Sequence, residues 1–322
     1  MVTPNVRTSS AHILAGATAT GKSAVAQCLA EQMGAAILSA DSMLVYQGMD
    51  IGTAKPTAEA RGTVPYYGLD LVTPAEPFST GRWLTAAAHC TETNLIAVGG
   101  TGLYIKALTD GIGGAAAAPD ARAAWQRVFE QEGLQGLQDA LRKKSPGAFA
   151  ALPDPSNPRR LIRALEHLGA SGTLPQHWKP ELLTPNSELR TSPSPIIVLT
   201  LPREQLHRRI VRRVEQMFAS GLPEEALALR EAYPAWSATA AKAIGYEEAC
   251  AMLDGTLTRE QAIERTVIRT RQLAKRQETW FRHQANAVWL DIAEHETTAD
   301  TARRVSQLWR QHGPTTIRRP LG

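Results

Sequence analysis

The chain has 322 residues, 43% of them hydrophobic and 20% charged, with 35 Lys and Arg against 31 Asp and Glu for a net charge of +4. That balance reads as a soluble globular protein of one large domain or two smaller ones, and the absence of a long apolar run excludes a bilayer-spanning helix. Cys28, Cys90 and Cys250 are isolated and without C-x-x-C spacing, which argues against both a disulfide framework and a zinc site. The polar start, Met1 to Ser10, has no apolar core of a signal peptide, so a cytoplasmic location is expected.

The first strong element is an apolar run, His12 to Ala15, followed by Gly16-Ala17-Thr18-Ala19-Thr20-Gly21-Lys22-Ser23 and an alanine-rich helical pattern to Met33. The octapeptide fits G-x-x-x-x-G-K-[ST] in the context of strand before and helix after. Such a loop converges backbone N–H groups and a helix N-terminus on phosphate oxygens, adds the lysine charge, and turns the serine hydroxyl toward a magnesium ion. A diphosphate or triphosphate ligand is therefore expected, either as phosphoryl donor or as leaving group.

A second strand is expected at Ala36 to Ser39 and a third at Leu95 to Val98. Short, continuously apolar strands between helices predict a doubly wound α/β domain with a parallel sheet, of the P-loop NTPase-like kind. In that fold the C-terminal ends of strands line the ligand crevice, which places Asp41 beside the phosphate loop. Its carboxylate could ligate magnesium, act as a general base, or merely cap a turn. Gly99-Gly100-Thr101-Gly102 follows the third strand, where the glycines allow either close backbone approach or a tight turn, and Thr101 supplies a hydroxyl. No aspartate ends that strand to hold magnesium as in a phosphate-hydrolysing enzyme.

From Gly113 the pattern changes to helices, expected at Pro119 to Gln131, Leu134 to Lys143 and Asn157 to Leu168. Residues 113–194 read as a helical insertion closed by a Pro- and Ser-rich linker, Thr184 to Pro195, between two parts of a catalytic core, 1–112 and 195–322. The sheet resumes at Ile196, and a helix to Ser220 carries Arg208, Arg209, Arg212 and Arg213 in two adjacent stripes. Further helices are expected at Pro223, around Ala241 to Leu253, and from Arg259 to about Ala285. The last of these has an apolar seam (Val267, Ala274, Phe281) and two basic stripes, Arg265, Arg269, Arg276 and Arg271, Lys275, Arg282, which make an RNA backbone a reasonable partner.

The phosphate loop, Ser39 to Pro56 (SADSMLVYQGMDIGTAKP), Val98 to Tyr104 (VGGTGLY), Asp154 to Glu166 (DPSNPRRLIRALE), Ala243 to Glu248 (AIGYEE) and Thr270 to Arg282 (TRQLAKRQETWFR) occur in an order that resembles the tRNA dimethylallyltransferase family over roughly residues 10 to 290. The resemblance implies transfer of a dimethylallyl group from dimethylallyl pyrophosphate to N6 of adenosine 37 in the tRNA anticodon stem-loop, with Mg2+. It further implies Asp41 as the base, Thr101 near the reacting centre, and the loop, Lys22, Arg213 and a magnesium ion at Ser23 on the pyrophosphate. The tRNA-contacting positions it implies are Asp41, Ser42, Met43, Leu44 and Thr101; Arg159, Arg160, Leu161, Ile162 and Arg163; Lys242 to Tyr246, with Gly245; and Lys275, Arg276 and Arg282. Arg122 is a weaker member of that set, and the insertion resembles the family's swinging domain. Where the family commonly has Pro-His, this chain has Pro65-Tyr66, and it lacks a Cys/His extension at the C-terminus, which points to a bacterial-type enzyme; a monomer without membrane attachment is expected. The competing reading is a P-loop nucleotide or small-molecule kinase; a third is an RNA-binding protein regulated through the loop.

Overall fold

The structure, a computed structural model, describes residues 6–111, 119–174 and 194–320. The Gly/Ala-rich stretch 113–118 and most of the expected linker, 184–193, lie outside the described residues. Two compact units form, residues 1–111 with 192–322 and residues 112–191.

The larger unit is built on a sheet in which β2 (Ala36–Ser39), β4 (Leu95–Gly99) and β5 (Ile196–Thr200) are buried at every position. Such uniformly apolar strands are stable only with both faces covered, and they pair in parallel with β1 (Val6–Gly16) or with one another. With β3 (Tyr66–Tyr67) and β6 (Ala287–Asp291) at the two edges, the order is β3-β2-β4-β1-β5-β6. β7 (Thr315–Pro320) runs antiparallel to the first half of β1, Val6 opposite Pro320 and Ala11 opposite Thr315. The sequence beyond Leu290 gives no clear pattern, yet it forms both β7 and a helix, α12 (Thr298–His312), that packs on the phosphate-loop helix α1 (Lys22–Met33).

Helix ends follow local chemistry. α1 begins after Gly21 at φ 91° and stops at Gly34 at φ 58°, whose N–H reaches back to the Ala30 carbonyl. Two short helices, α2 (Ala58–Arg61) and α3 (Thr80–Ala88), are capped by Thr57 and Ser79 hydroxyls. α4 (Gly102–Asp110) follows the glycine-rich loop directly.

The smaller unit consists of α5 (Pro119–Lys144), bent at Gly133 with φ 67°, then α6 (Pro146–Ala150) and α7 (Pro158–Ser171). The two helices expected on either side of Gly133 are both present and meet at a non-helical kink at that glycine. Leu137, Leu141, Leu161 and Leu165 make its core.

In the larger unit the chain continues through α8 (Arg203–Ala219), α9 (Leu222–Ala232), a 3₁₀ turn (Ala240–Lys242), α10 (Tyr246–Leu253) and α11 (Arg259–Gln284). The helical stretch expected around an interrupting Gly245 is broken at that residue: Gly245 at φ 96° is the N-cap of α10 and its N–H is taken by the Glu248 carboxylate at 2.8 Å. α11 is anchored by Phe281, which is fully buried, while its other side is polar. Among the described residues no helix is long and apolar enough to cross a membrane.

Candidate active site

β1 ends in the phosphate loop. A Cβ on Gly16 would come within 2.8 Å of the Leu199 carbonyl, so the chain turns there against β5 and only glycine fits. Ala19 at φ 65° and Gly21 at φ 91° curl the loop so that it runs into the N-terminus of α1. Thr20 Oγ1 donates to the Ala17 carbonyl at 2.9 Å and Lys22 Nζ donates to the same carbonyl at 3.3 Å, which folds the lysine back over the loop. Lys22 is 9% exposed. Burial lowers its pKa to about 8, Asp41 acts to raise it, and Arg213 lowers it further.

Arg213, half-buried on α8, donates to the Thr53 carbonyl at 3.1 Å. Burial lowers its pKa too, and Asp41 opposes the shift. Lys22, Arg213 and Asp41 therefore share one electrostatic field at the C-terminal edge of the sheet. Arg209, on the same stripe of α8, reaches the Thr20 carbonyl at 3.4 Å, whereas Arg208 pairs with Glu294 at 2.6 Å and Arg212 is exposed. The two arginine stripes thus differ: one faces the loop and the other faces solvent.

Asp41 Oδ1 accepts the Met43 N–H at 2.9 Å, closing a tight turn that presents Ser42, Met43 and Leu44 at the partly exposed rim. Thr101 stitches this turn to the glycine-rich loop: its N–H donates to the Ala40 carbonyl at 3.1 Å, and its hydroxyl accepts the Ser42 N–H at 3.0 Å. The adjoining glycines are set by neighbours in the protein. A Cβ on Gly99 would lie 2.1 Å from the Ala40 carbonyl oxygen, one on Gly100 2.3 Å from Gln277 Nε2, and one on Gly102 2.1 Å from the Trp280 ring. Beneath the turn, Trp83 donates its indole N–H to the Ser39 carbonyl at 2.9 Å and stacks on Tyr104 at 4.6 Å. These bonds hold Asp41 and Thr101 on rigid supports.

Several expected contact positions lie in the interior of the structure. Tyr246 is fully buried; its hydroxyl donates to Glu225 at 2.5 Å and accepts the Gly52 N–H at 3.2 Å, while Glu225 also takes the Ile51 N–H at 2.9 Å. Tyr246 and the buried Gly245 therefore shape the 50–52 segment and offer no side chain to a ligand, and burial together with the Glu225 charge raises the Tyr246 pKa. Leu161 and Ile162 are 0% and 4% exposed in the core of the smaller unit, so only their arginine neighbours face outward. Of these, Arg159 and Arg160 are exposed, and Arg163 pairs with the buried Glu166 at 3.2 Å, which Arg122 also approaches at 4.0 Å. Tyr66, where histidine was expected, packs on α1 and donates to Gln27 at 2.7 Å.

Along α11, Arg269 belongs to a structural network, bonded to Glu248 and, at 2.6 Å, to Glu247. Lys242 stays exposed beside it while its carbonyl accepts from Arg269 at 3.1 Å. Lys275, Arg276 and Arg282 are exposed, and Arg282 lies 4.8 Å from the centre of the Trp289 ring. Lys275 and Arg276 line an open groove of about 430 Å³ with Thr279, Trp280, His283 and Gln284. The sequence gives no hint of Gln277, which reads as one more polar residue on a solvated helix; its role emerges only where the helix meets both loops.

A parallel sheet carrying a phosphate loop, with a carboxylate and a hydroxyl on the neighbouring strand ends, defines a P-loop-like α/β fold. Family models for IPP transferase and isopentenyl transferase match residues 44–284 and 9–67. Similar chains include the tRNA dimethylallyltransferases of Anaeromyxobacter dehalogenans, 39% identical with 92% of this chain and 98% of the relative covered, and of Chelativorans sp., 37% identical with 87% and 97% covered. The crystal structure of a tRNA isopentenylpyrophosphate transferase from Bacillus halodurans superposes with a TM-score of 0.63 at 34% identity, covering 94% of this chain and 97% of that one. This chain belongs to the tRNA dimethylallyltransferase family and is by that membership a transferase.

Proposed function

We propose that the protein transfers a dimethylallyl group from dimethylallyl pyrophosphate to N6 of adenosine 37 beside the tRNA anticodon. The observation that carries this reading is the shared field of Lys22, Arg213 and Asp41, with Thr101 fixed on the adjoining turn. An adenine amino group is a weak nucleophile, because its lone pair is delocalised into the ring, so a positioned base matters. The nitrogen bonds to C1 of the dimethylallyl group as the C1–O bond breaks; the electron pair leaves with pyrophosphate and the amino proton passes to Asp41. Loop N–H groups, Lys22 and Arg213 stabilise the departing charge, and Thr101 orients the reacting amine.

The donor set also suits Mg2+. Among the described residues no group of three His, Cys, Asp or Glu forms a metal cage, and the Ser23 hydroxyl is exposed at the start of α1. That arrangement fits a hard cation held mostly by phosphate oxygens and water, with Ser23 as the protein oxygen. When bound, such an ion supplies Lewis-acid neutralisation of the leaving pyrophosphate.

The adenine must leave its stack to reach Asp41, and the cations of α11 with Lys242 supply anchorage for the phosphate backbone of the anticodon stem-loop. In this reading residues 112–191 act as the tRNA-embracing unit, and the enzyme works as a cytoplasmic monomer without membrane attachment. Incubation with Mg2+, dimethylallyl pyrophosphate and a transcript carrying an A36-A37 anticodon loop should give prenylated adenosine by mass spectrometry of the digested RNA. No product, with phosphate transfer from ATP to a metabolite instead, would replace this reading by the kinase one.

A further inference from the structure

Gln277 bridges the two loops of the crevice from the inner side of α11. Its Oε1 accepts the Thr18 N–H of the phosphate loop at 2.8 Å, and its Nε2 donates to the Gly100 carbonyl at 3.0 Å. The two bonds have opposite polarity, so a carboxamide satisfies both, while a carboxylate lacks the donor and an amine lacks the acceptor. The seat is tight, since a Cβ on Gly100 would fall 2.3 Å from Nε2, and one turn along the helix Trp280 covers Gly102 just as closely. On the same helix the flanking Lys275 and Arg276 are exposed and line the open groove. The helix that offers cations outward thus grips, through one side chain, the peptide that shapes the phosphate loop.

We infer that Gln277 is a positioning residue that couples the two substrate sites: an RNA held on the outer face of α11 fixes the phosphate loop for pyrophosphate, and pyrophosphate in the loop fixes α11 for RNA. The inference rests on the functional reading above. Coupling between two binding sites is reciprocal, so each ligand must tighten the other by the same factor. Neither bond is needed for an RNA phosphate to meet Lys275 or Arg276, which separates coupling from simple RNA affinity.

The test is equilibrium binding of magnesium pyrophosphate and of an anticodon stem-loop RNA, each titrated by calorimetry with and without the other. It uses the full-length protein and the variants Gln277→Ala, Gln277→Glu and Gln272→Ala, the last an exposed position on the same helix. In the unaltered protein and in Gln272→Ala each ligand should tighten the other by roughly five-fold or more, the usual size of a coupling. In Gln277→Ala the factor should fall to about one, with RNA affinity alone changed less than about two-fold because its phosphate contacts remain. Gln277→Glu keeps the acceptor for Thr18 but loses the donor and adds a negative charge, so pyrophosphate affinity should drop further than in Gln277→Ala, and more at low salt. Coupling that survives intact in Gln277→Ala, or that is absent from an unaltered protein binding both ligands, overturns the inference. An unaltered protein that binds no pyrophosphate would instead remove the functional reading on which it stands.

Discussion

The crevice at the sheet edge and the outer face of α11 are both cationic, yet they use charge in opposite ways. In the crevice, Lys22 and Arg213 are withdrawn from water, each donates to a backbone carbonyl, and both feel the single carboxylate of Asp41. On α11, Lys275, Arg276 and Arg282 are exposed and, among the described residues, enter no ion pair. Buried charge in low dielectric acts strongly and at one point, whereas exposed charge acts weakly, adds along a surface and is screened by salt. The first arrangement suits a charge that develops at a bond being broken, and the second suits a polyanion.

The sharpest way to break this contrast is Asp41→Ala. Single-turnover prenyl transfer should fall by about 10²- to 10⁴-fold, the usual contribution of a positioned base, while stem-loop RNA affinity measured by filter binding stays within a few-fold. Unchanged turnover with lost RNA binding would move Asp41 from the chemical region to the docking region.

Arg213→Ala and Lys22→Met should lower kcat/KM by roughly 10²-fold, because each removes a cationic donor to the leaving charge. Lys22 adds a pH signature. Its folded pKa, depressed to about 8, means that protonation fades as pH rises through that value, and pyrophosphate affinity should decline there in the unaltered protein relative to Lys22→Met. The same shift has a stability consequence of defined sign. Between about pH 8 and the ordinary lysine value of 10.5 the unfolded chain holds more protons, so the contribution of Lys22 to folding stability rises with pH across that window. Urea melts of the unaltered protein and Lys22→Met across that window should diverge accordingly.

On α11 the expected effects are smaller. Lys275→Ala or Arg276→Ala should weaken RNA binding several-fold and reduce the slope of log affinity against log salt by roughly 0.7 to 0.9 per cation, with single-turnover rate at saturating RNA little changed. A loss independent of salt would show that these residues act as the crevice cations do. The smallest effect on activity is expected from Tyr246→Phe, where the half-buried Glu225 loses a hydroxyl donor. Destabilisation of about 1 to 2 kcal/mol in denaturant melts should accompany nearly normal RNA affinity, since the ring never reaches the surface.

The sequence makes the crevice legible because its parts are local: Gly16 to Ser23 is contiguous, and Asp41 and Thr101 each sit immediately beyond an apolar strand. What it hides are features decided by distant partners. β3, Tyr66–Tyr67, is two residues long and exists because it pairs with Ile37 and Leu38. β7 escapes pattern reading because Arg319 points inward, where it donates to the Cys90 carbonyl and, at 2.9 Å, to Ser9 Oγ. The glycines of the 99–102 loop announce close approach without saying of what, and the answer is Ala40, Gln277 and Trp280. Tyr246, Leu161 and Ile162 lie in motifs that also hold exposed charges such as Arg159, Arg160 and Glu247, and a contiguous motif does not reveal which of its residues are turned into the core.

The antiparallel pairing of β7 with the start of β1 also sets an order of assembly. β1 leaves the ribosome first, but its neighbours are residues 95–99, 196–200 and 315–320, so it waits for almost the whole chain before its pairing is complete. Such long sequence separation makes closure slow and leaves Val6 to Ala11 as an open edge in any shortened nascent chain. The strand that delivers the phosphate loop is thus finished only when the last strand arrives.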